Sequence, residues 1–304
     1  KFKKNQFKTL TEYLHEHDYY THADVINKLI VPKQGFDEFH IHDEENDDLT
    51  SNHISLLNQM KKISIEKNFF LYLHFSNIHT GIKKEVLDVY HNHSEEFFKN
   101  NELNRNRYSK LFYKAEIYLE SILNEIKKLS LDDDTLILIM SDHGVSTGEK
   151  FGEHAYGAFC YDYTLRTFTY FLSKDLPSIE IKQQTRTIDF LPTILDILKI
   201  PLDNNSGNLD GVSLLPLIDG SYIPENFAFS ETGNPLYDKV PPKEPNVKSI
   251  RTSKWKLIFN EHDDTKELYN LEQDPDENNN LIDTGEKIQD SLWENLTQLI
   301  KTQD

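Results

Sequence analysis

The chain has 304 residues, with 33 Lys and Arg against 51 Asp and Glu, which gives a formal net charge of −18. Such a negative chain is not expected to bind DNA, RNA or an anionic membrane through a broad basic surface. Hydrophobic residues make up 37% of the sequence, which is enough to build a core and excludes wholesale disorder. The single cysteine excludes an intrachain disulfide framework, and no apolar run approaches the ~18 residues that a membrane span needs.

Helical and strand patterns alternate along the first part of the chain. Helices are predicted over 9–17, 53–66, 108–129 and 187–198, and strands over 20–26, 69–75, 135–140 and 167–172. Strand patterns without polar alternation are typical of strands that are buried on both faces of a parallel sheet. Because these strands alternate with helices, the sequence predicts an α/β domain with a largely parallel sheet.

The pattern changes after about residue 222. Short predicted strands at 248–251, 255–260 and 267–270 lie close together, and a predicted helix over 287–300 follows them. This spacing indicates a small antiparallel subdomain. We therefore expect a core domain over residues 1–222 and a C-terminal subdomain over residues 223–304.

Two predicted strand ends carry reactive side chains. Asp142 and His143 come directly after the strand over 135–140, and a carboxylate beside an imidazole is a plausible corner for a divalent metal. His79 follows the strand over 69–75 and could hydrogen-bond an anionic substrate or give it a proton. Ligands of open α/β sheets bind outside the carboxyl ends of the strands, so we expect these groups to share a site. The alternative for each is a turn with a surface histidine.

A glycine-rich loop follows the metal-like corner. Three glycines occur within residues 148–157, which suggests an ordered loop over the site; the alternative is an ordinary flexible loop. Within it, His154 could be a further ligand or an anion contact, and Lys150 could neutralise an anion.

Other polar segments have simpler interpretations. The acidic stretches at 43–48, 132–134 and 274–280 are interpreted as solvated turns, and the histidine-containing segment at 91–96 as a solvated loop. Cys160 has apolar and aromatic neighbours and no adjoining cation, so we expect a buried structural thiol rather than a nucleophile.

Taken in order, these motifs resemble those of the sulfatases of the alkaline phosphatase superfamily. The similar segments lie at 9–14, 19–21, 35–39, 76–79, 141–149, 161–166, 187–195, 210–214, 267–275 and 279–281. The resemblance covers most of the chain. It implies a three-layer α/β/α sandwich with a mostly parallel central sheet, of the alkaline phosphatase-like kind, and a small C-terminal α+β subdomain.

The resemblance also implies a metal-dependent sulfuric ester hydrolase that acts on a small-molecule or glycan sulfate ester. The implied metal ligands are Asp142 and His143, the catalytic residues His79 and His154, and the substrate-binding residues Lys28 and Lys150. The expected cofactor is one divalent cation, Ca²⁺ in most of the family, with Mn²⁺ or Zn²⁺ as alternatives.

The sequence departs from the family at the nucleophile. It contains no Cys/Ser-x-Pro/Ala-x-Arg motif and no apolar strand that ends in two aspartates. We expect formylglycine and the paired aspartates in an N-terminal segment that precedes Lys1, together with any targeting signal; the compartment stays open between the cytoplasm and export. The alternative is a complete chain that has lost its chemistry. Many sulfatases carry a Lys-x-His motif after the strand that corresponds to 20–26, and in this sequence only Lys28 could take its place. The prolines that flank the substrate-contacting histidine in the family are absent around His79.

Two other functions remain open at this point. A phosphodiesterase or phosphoglycerol transferase of the same superfamily is one, because phosphoryl and sulfuryl groups share size and tetrahedral shape. A non-catalytic protein that keeps the scaffold is the other. The sequence does not predict the oligomeric state.

Overall fold

The computed structural model describes residues 7–90, 95–203, 209–234 and 244–303. Most of the histidine-containing segment at 91–96, residues 91–94, therefore lies outside the described residues. Among the described helices, none combines the length and the apolar character that crossing a bilayer requires.

Helices are interspersed with strands from residue 10 to residue 197. Their order is α1 (Leu10–Glu16), β1 (Tyr19–Val25), β2 (Glu38–Ile41), α2 (Leu49–Ile63), β3 (Asn68–Leu73), α3 (Asn77–Gly81), α4 (Glu95–Lys99), α5 (Asn101–Lys128), β4 (Ile137–Met140), α6 (Asp162–Leu165), β5 (Thr169–Leu172) and α7 (Phe190–Ile197). A π-helical turn over Ile82–Leu87 follows α3, and a 3₁₀ turn over Thr187–Asp189 leads into α7.

A parallel sheet with the strand order β2-β1-β3 forms the centre of this part. Alternate residues of β3 face opposite sides of it. Phe69 and Leu71 pack into the cluster that α2 and α5 build, whereas Phe70 packs with Tyr13 of α1 and Leu195 of α7. Helices therefore cover both faces of the sheet, and the predicted α/β class is confirmed. Strand β4 pairs antiparallel with β5, a detail that the sequence patterns did not distinguish.

The amino end of α1 is capped by its own side chains and packs against the segment around Gly35. Thr9 and Glu12 form a reciprocal cap, in which Glu12 N donates to Thr9 Oγ1 at 3.3 Å and Thr9 N donates to Glu12 Oε2 at 2.8 Å. Gly35 has a φ of +81°, and a Cβ there would lie 2.6 Å from Glu12 N. The segments at 9–14 and 35–39 therefore pack directly against each other at the amino end of α1.

The C-terminal part contains α8 (Leu215–Ile218), β6 (Ala228–Thr232), β7 (Val247–Arg251), β8 (Trp255–Asn260), β9 (Thr265–Asn270) and α9 (Ile288–Gln303). The four strands form an antiparallel sheet in the order β6-β7-β8-β9. Leu292 and Leu296 of α9 pack on this sheet against Ile250, Leu257 and Leu268. The domain boundary at residue 222 stays a prediction.

A buried group of charges joins α6 to the C-terminal sheet. Lys256 has no exposed side-chain surface, and its Nζ atom lies 2.9 Å from both Asp162 Oδ1 and Glu277 Oε1. Arg251 donates from Nε and Nη2 to the Asp162 carboxylate at 2.8–3.1 Å. Four charged side chains from four separate segments therefore neutralise one another in the interior, as buried charges require.

Candidate functional site

The corner after β4 is shaped by Asp142 and His143. His143 N donates to Asp142 Oδ1 at 2.9 Å, and His143 Nδ1 lies 2.6 Å from the carbonyl of Gly144. A carbonyl can only accept, so Nδ1 carries the proton, and in the neutral ring the lone pair is on Nε2. His143 Nε2 lies 3.6 Å from Asp142 Oδ2. Both side chains are open to solvent, at 47% and 76% exposure, so these two atoms are free to share a ligand.

Gly144 explains why the chain can turn at this corner. A Cβ on Gly144 would lie 2.2 Å from the carbonyl oxygen of Tyr163, and Gly144 N donates to Thr164 O at 2.8 Å. Only glycine permits this approach, so α6 fixes the position of the Asp142–His143 corner.

His79 reaches the same cleft from the end of β3. It lies in α3, and its Nδ1 donates to Glu44 Oε1 at 2.8 Å. The ring of Tyr156 lies 5.8 Å from the His79 ring and 5.9 Å from the His143 ring, measured between centroids. The structure therefore brings His79 and the Asp142–His143 corner to one cleft, where both imidazoles lie near the ring of Tyr156.

The cleft carries concentrated negative charge. Burial raises the pKa of Tyr72 and Tyr108, and the nearby charge of Asp142 adds to the effect. The pKa of Tyr156 is raised in the same way, by burial and then by the charges of Glu44 and Asp142. These phenols stay neutral and bring no positive charge, so the charges of Glu44 and Asp142 favour a cation in the cleft.

The glycine-rich loop is ordered by a buried carboxylate. Glu153 has no exposed surface and accepts hydrogen bonds from Phe159 N at 2.9 Å, from Ala158 N and from Tyr163 Oη. Burial raises the pKa of Glu153 in spite of these donors. The same loop presents Tyr156 to the cleft. A cavity of about 210 Å³ adjoins it, lined by Tyr156 and His143 and, from β6, by Glu231 and Thr232.

The remaining predicted site residues lie in different surroundings. His154 packs against the rings of Phe97 and Phe98 at centroid distances of 5.1 and 4.8 Å. Lys150 Nζ donates to the Glu277 carbonyl and lies 5.1 Å from the centre of the Tyr161 ring, contacts that direct it toward the C-terminal sheet. Lys28 is exposed, in a turn after β1. The catalytic role of His154 and the substrate-binding roles of Lys28 and Lys150 stay predictions.

Sequence reasoning missed a second group of polar side chains. Asp24 of β1, His42 after β2 and His53 of α2 are all buried, with exposures of 2%, 3% and 0%. Asp24 Oδ1 contacts His42 Nδ1 and lies 3.8 Å from His53 Nε2. Burial alone would raise the pKa of Asp24, but the neighbouring imidazoles outweigh it and hold that pKa well below its ordinary value. The feature of the sequence that could have indicated this group is Asp24, a charged residue inside the predicted buried strand over 20–26.

Comparisons with known proteins agree with the motif order. A family model described as sulfatase matches residues 1–200, and one described as the C-terminal part of N-sulphoglucosamine sulphohydrolase matches residues 152–302. The chain is 30% identical over 183 residues to the choline-sulfatase of Rhizobium meliloti, which covers 58% of this chain and 34% of that protein. It spans about a third of the length of the curated relatives that it matches.

Solved structures give the same fold. A 2-O GAG sulfatase superposes with a TM-score of 0.72 at 16% identity, covering 97% of this chain and 73% of that one. A phosphonate monoester hydrolase from Silicibacter pomeroyi gives a TM-score of 0.69 at 14% identity, covering 97% and 79%. These likenesses confirm the predicted alkaline phosphatase-like α/β fold.

Proposed function

Because the chain belongs to the sulfatase family, we propose that its protein hydrolyses sulfate esters at the cleft formed by His79, Asp142 and His143. One observation carries the proposal: two side chains suited to a cation and one suited to proton transfer meet around Tyr156. The substrate class proposed is a small-molecule or glycan sulfate ester.

Membership of the sulfatase family implies a divalent metal, and the Asp142–His143 corner fits one. Ligand atoms about 2.3–2.6 Å from a Ca²⁺ ion can be 3.6 Å apart, which is the separation of Asp142 Oδ2 and His143 Nε2. The lone pair on His143 Nε2 can bind a cation, and the negative charge of the cleft attracts one. We propose Ca²⁺, with Mn²⁺ or Zn²⁺ as the alternatives that an imidazole ligand favours. When bound, the cation would polarise the sulfate group as a Lewis acid.

The residues of the chain have distinct parts in this proposal. Asp142 and His143 would hold the cation. Glu44 accepts a hydrogen bond from His79 Nδ1 and so fixes the ring. As an imidazolium, His79 also carries a proton on Nε2, which it could give to a sulfate oxygen or to the leaving alcohol, and the neutral ring would remain with its proton on Nδ1. His154 is proposed to bind a sulfate oxygen or to protonate the leaving alcohol, and Lys28 and Lys150 are proposed to bind the substrate anion. The nucleophile proposed is formylglycine, on the strength of the family resemblance.

A second function is favoured by one of the structural likenesses. The phosphonate monoester hydrolase shares this fold, and a tetrahedral phosphoryl group would fit the same cleft. The two functions can be distinguished by comparing the rates at which the protein cleaves a sulfate ester and a phosphate ester.

The test uses the protein expressed from its complete gene. We expect it to hydrolyse 4-nitrophenyl sulfate faster than bis(4-nitrophenyl) phosphate, to lose activity with a chelator and to regain it with Ca²⁺. A preference for the phosphodiester would support the second function. Hydrolysis of neither ester, with no binding of any divalent cation, would support a non-catalytic scaffold.

A further inference from the structure

A buried Asp-His-His group lies at the carboxyl end of the parallel sheet and shares no residue with the Asp142–His143 corner. One carboxylate oxygen of Asp24 and one ring nitrogen each of His42 and His53 lie within 4.8 Å of one another. Ligand atoms about 2.0–2.2 Å from a tetrahedral zinc ion lie about 3.3–3.6 Å apart, so small side-chain movements would bring the three atoms onto one ion.

The far nitrogen of each imidazole already has a fixed partner. His42 Nε2 lies 2.9 Å from Ser76 Oγ, and His53 Nδ1 lies 2.6 Å from Tyr118 Oη. Histidines that bind a metal almost always hydrogen-bond through the other nitrogen, because that bond sets the ring's tautomer and orientation. Both rings are therefore held with their near nitrogens toward Asp24.

One of those near nitrogens has no hydrogen-bond partner among the described residues. His53 Nε2 is buried on a side chain with no exposed surface, and its 3.8 Å separation from Asp24 Oδ1 is too long for a hydrogen bond. A buried polar atom without a partner is costly, and one aimed at a carboxylate beside another imidazole is the arrangement that a metal ion completes.

We propose that Asp24, His42 and His53 form a second metal site, which binds a divalent transition-metal ion of the zinc class. One carboxylate and two imidazoles are ligands that suit Zn²⁺, whereas Ca²⁺ takes six to eight oxygen ligands. His40, whose side chain is 57% exposed, lies 3.1 Å from the other oxygen of Asp24 and marks the side from which an ion would enter.

The site would connect the sheet to the proposed active site. The ion would tie β1 to α2 and to the segment after β2. His42 contacts Ser76, which precedes the helix that carries His79. The role is therefore structural: the metal would fix the start of α3. It does not depend on the proposed hydrolytic function.

The test measures zinc binding by the 304-residue chain, by calorimetry and by the visible absorption of Co²⁺ as a substitute. To remove binding at the Asp142–His143 corner, the measurements are made in an Asp142→Asn background. We expect one Zn²⁺ to bind in this background and Ca²⁺ not to displace it. His53→Gln should weaken binding more than 100-fold, and Zn²⁺ should raise the Tm only where His53 is intact.

A milder variant keeps the test valid if the ligand variants fail to fold. Tyr118→Phe removes the hydrogen bond to His53 Nδ1 but no ligand, and should weaken zinc binding about 10–100-fold. Tyr108→Phe, on the same helix but facing the cleft, is the matched control and should bind zinc as the parent does. The proposal is overturned if the folded parent binds no zinc, or if His53→Gln and Tyr118→Phe both bind it with the parent's affinity.

Discussion

Asp142 Oδ2 faces His143 Nε2 at 3.6 Å, while the other nitrogen of the same imidazole donates to the backbone. The pair presents one carboxylate oxygen and one lone pair to the cleft. We predict that Asp142→Asn, which keeps the shape and removes the charge, lowers kcat/KM for a sulfate ester about 10²–10³-fold in the complete protein. Ca²⁺ affinity should fall in parallel. Asp132→Asn, at an exposed position before β4, is the control, and equal rates in the two variants would remove Asp142 from the site.

The ring of Tyr156 contacts both His79 and His143, so its loss should affect their positions. We expect Tyr156→Ala to lower kcat about 10–100-fold, because small misplacements of catalytic groups are costly. Tyr156→Phe keeps the ring and should retain most of the activity. Steady-state kinetics measure kcat for the two variants. A similar loss of kcat in both would assign the effect to the hydroxyl group instead of the ring.

Lys256 is the cation that Asp162 and Glu277 share in the interior. Lys256→Met removes this ammonium group while both carboxylates stay buried. Because a buried charge that loses its partner is costly, the substitution should lower the free energy of unfolding by about 3–5 kcal/mol. The control is Lys254→Met, which removes an exposed ion pair with Glu272 and should change the free energy by about 0–1 kcal/mol. Urea unfolding measures both; an equal effect of the two variants would contradict the argument.

Acid stability should depend on Asp162. Burial would raise its pKa, but the charges of Lys256 and Arg251 outweigh burial and lower the pKa to about 2. A lowered carboxyl pKa stabilises the fold above the ordinary value of 3.8, and that stabilisation is lost as the pH falls through about 2. We expect this group to contribute about 2 kcal/mol to that loss. Unfolding measured from pH 5 to pH 2 should show a shallower pH dependence for Asp162→Asn; identical slopes would refute the assignment.

The pKa of Glu277 is shifted in the opposite direction. Burial raises it, and the neighbouring Lys256 offsets only part of the effect. A raised carboxyl pKa gives a contribution that is present at low pH and lost as the pH rises through the folded-state value. The acid profile of Glu277→Gln should therefore be steeper than that of the wild type, which distinguishes the two carboxylates of one network.

Cys160 should be chemically inert in the folded protein. Its side chain is 1% exposed, and burial raises the pKa of its thiol to about 12. Because the thiolate is the reactive form, we predict negligible labelling by iodoacetamide at pH 8 and complete labelling in urea. Mass spectrometry of the two samples provides the measurement, and rapid labelling without urea would show that the thiol is accessible.

Most of the fold could be predicted because its signals are local. The cap at Thr9, the apolar strand at 69–75 and the amphipathic pattern of α5 each lie within one short stretch. The sequence pattern predicts that α2 begins at residue 53, whereas the helix begins at Leu49. The difference arises because the acidic stretch at 43–48 is typical of a solvated turn. In the structure Asp48 Oδ1 accepts a hydrogen bond from Ser51 N and caps the helix.

The candidate site was predictable only in part, for a physical reason. Asp142 and His79 each follow a strand, and the rule about carboxyl ends predicts that they meet. Among the described residues, however, β3 and β4 belong to different sheets, so the rule does not explain how they meet. Glu44 and Tyr156 reach the same cleft through packing between segments far apart in the chain, which no local spacing reveals. The same holds for His42 and Asp24, which come from different strands and meet only because β1 and β2 are neighbours.

The interior charges around Asp162 also bear on how the chain can be divided. A fragment that stopped near residue 222 would keep Asp162 but lose its counter-ions Arg251 and Lys256. It would also expose the apolar surface of Tyr161, which packs against the C-terminal sheet. Such a piece should be prone to aggregation, and the intact polypeptide should melt in a single cooperative step. We therefore expect that cutting the protein at the boundary predicted near residue 222 would not give two stable pieces.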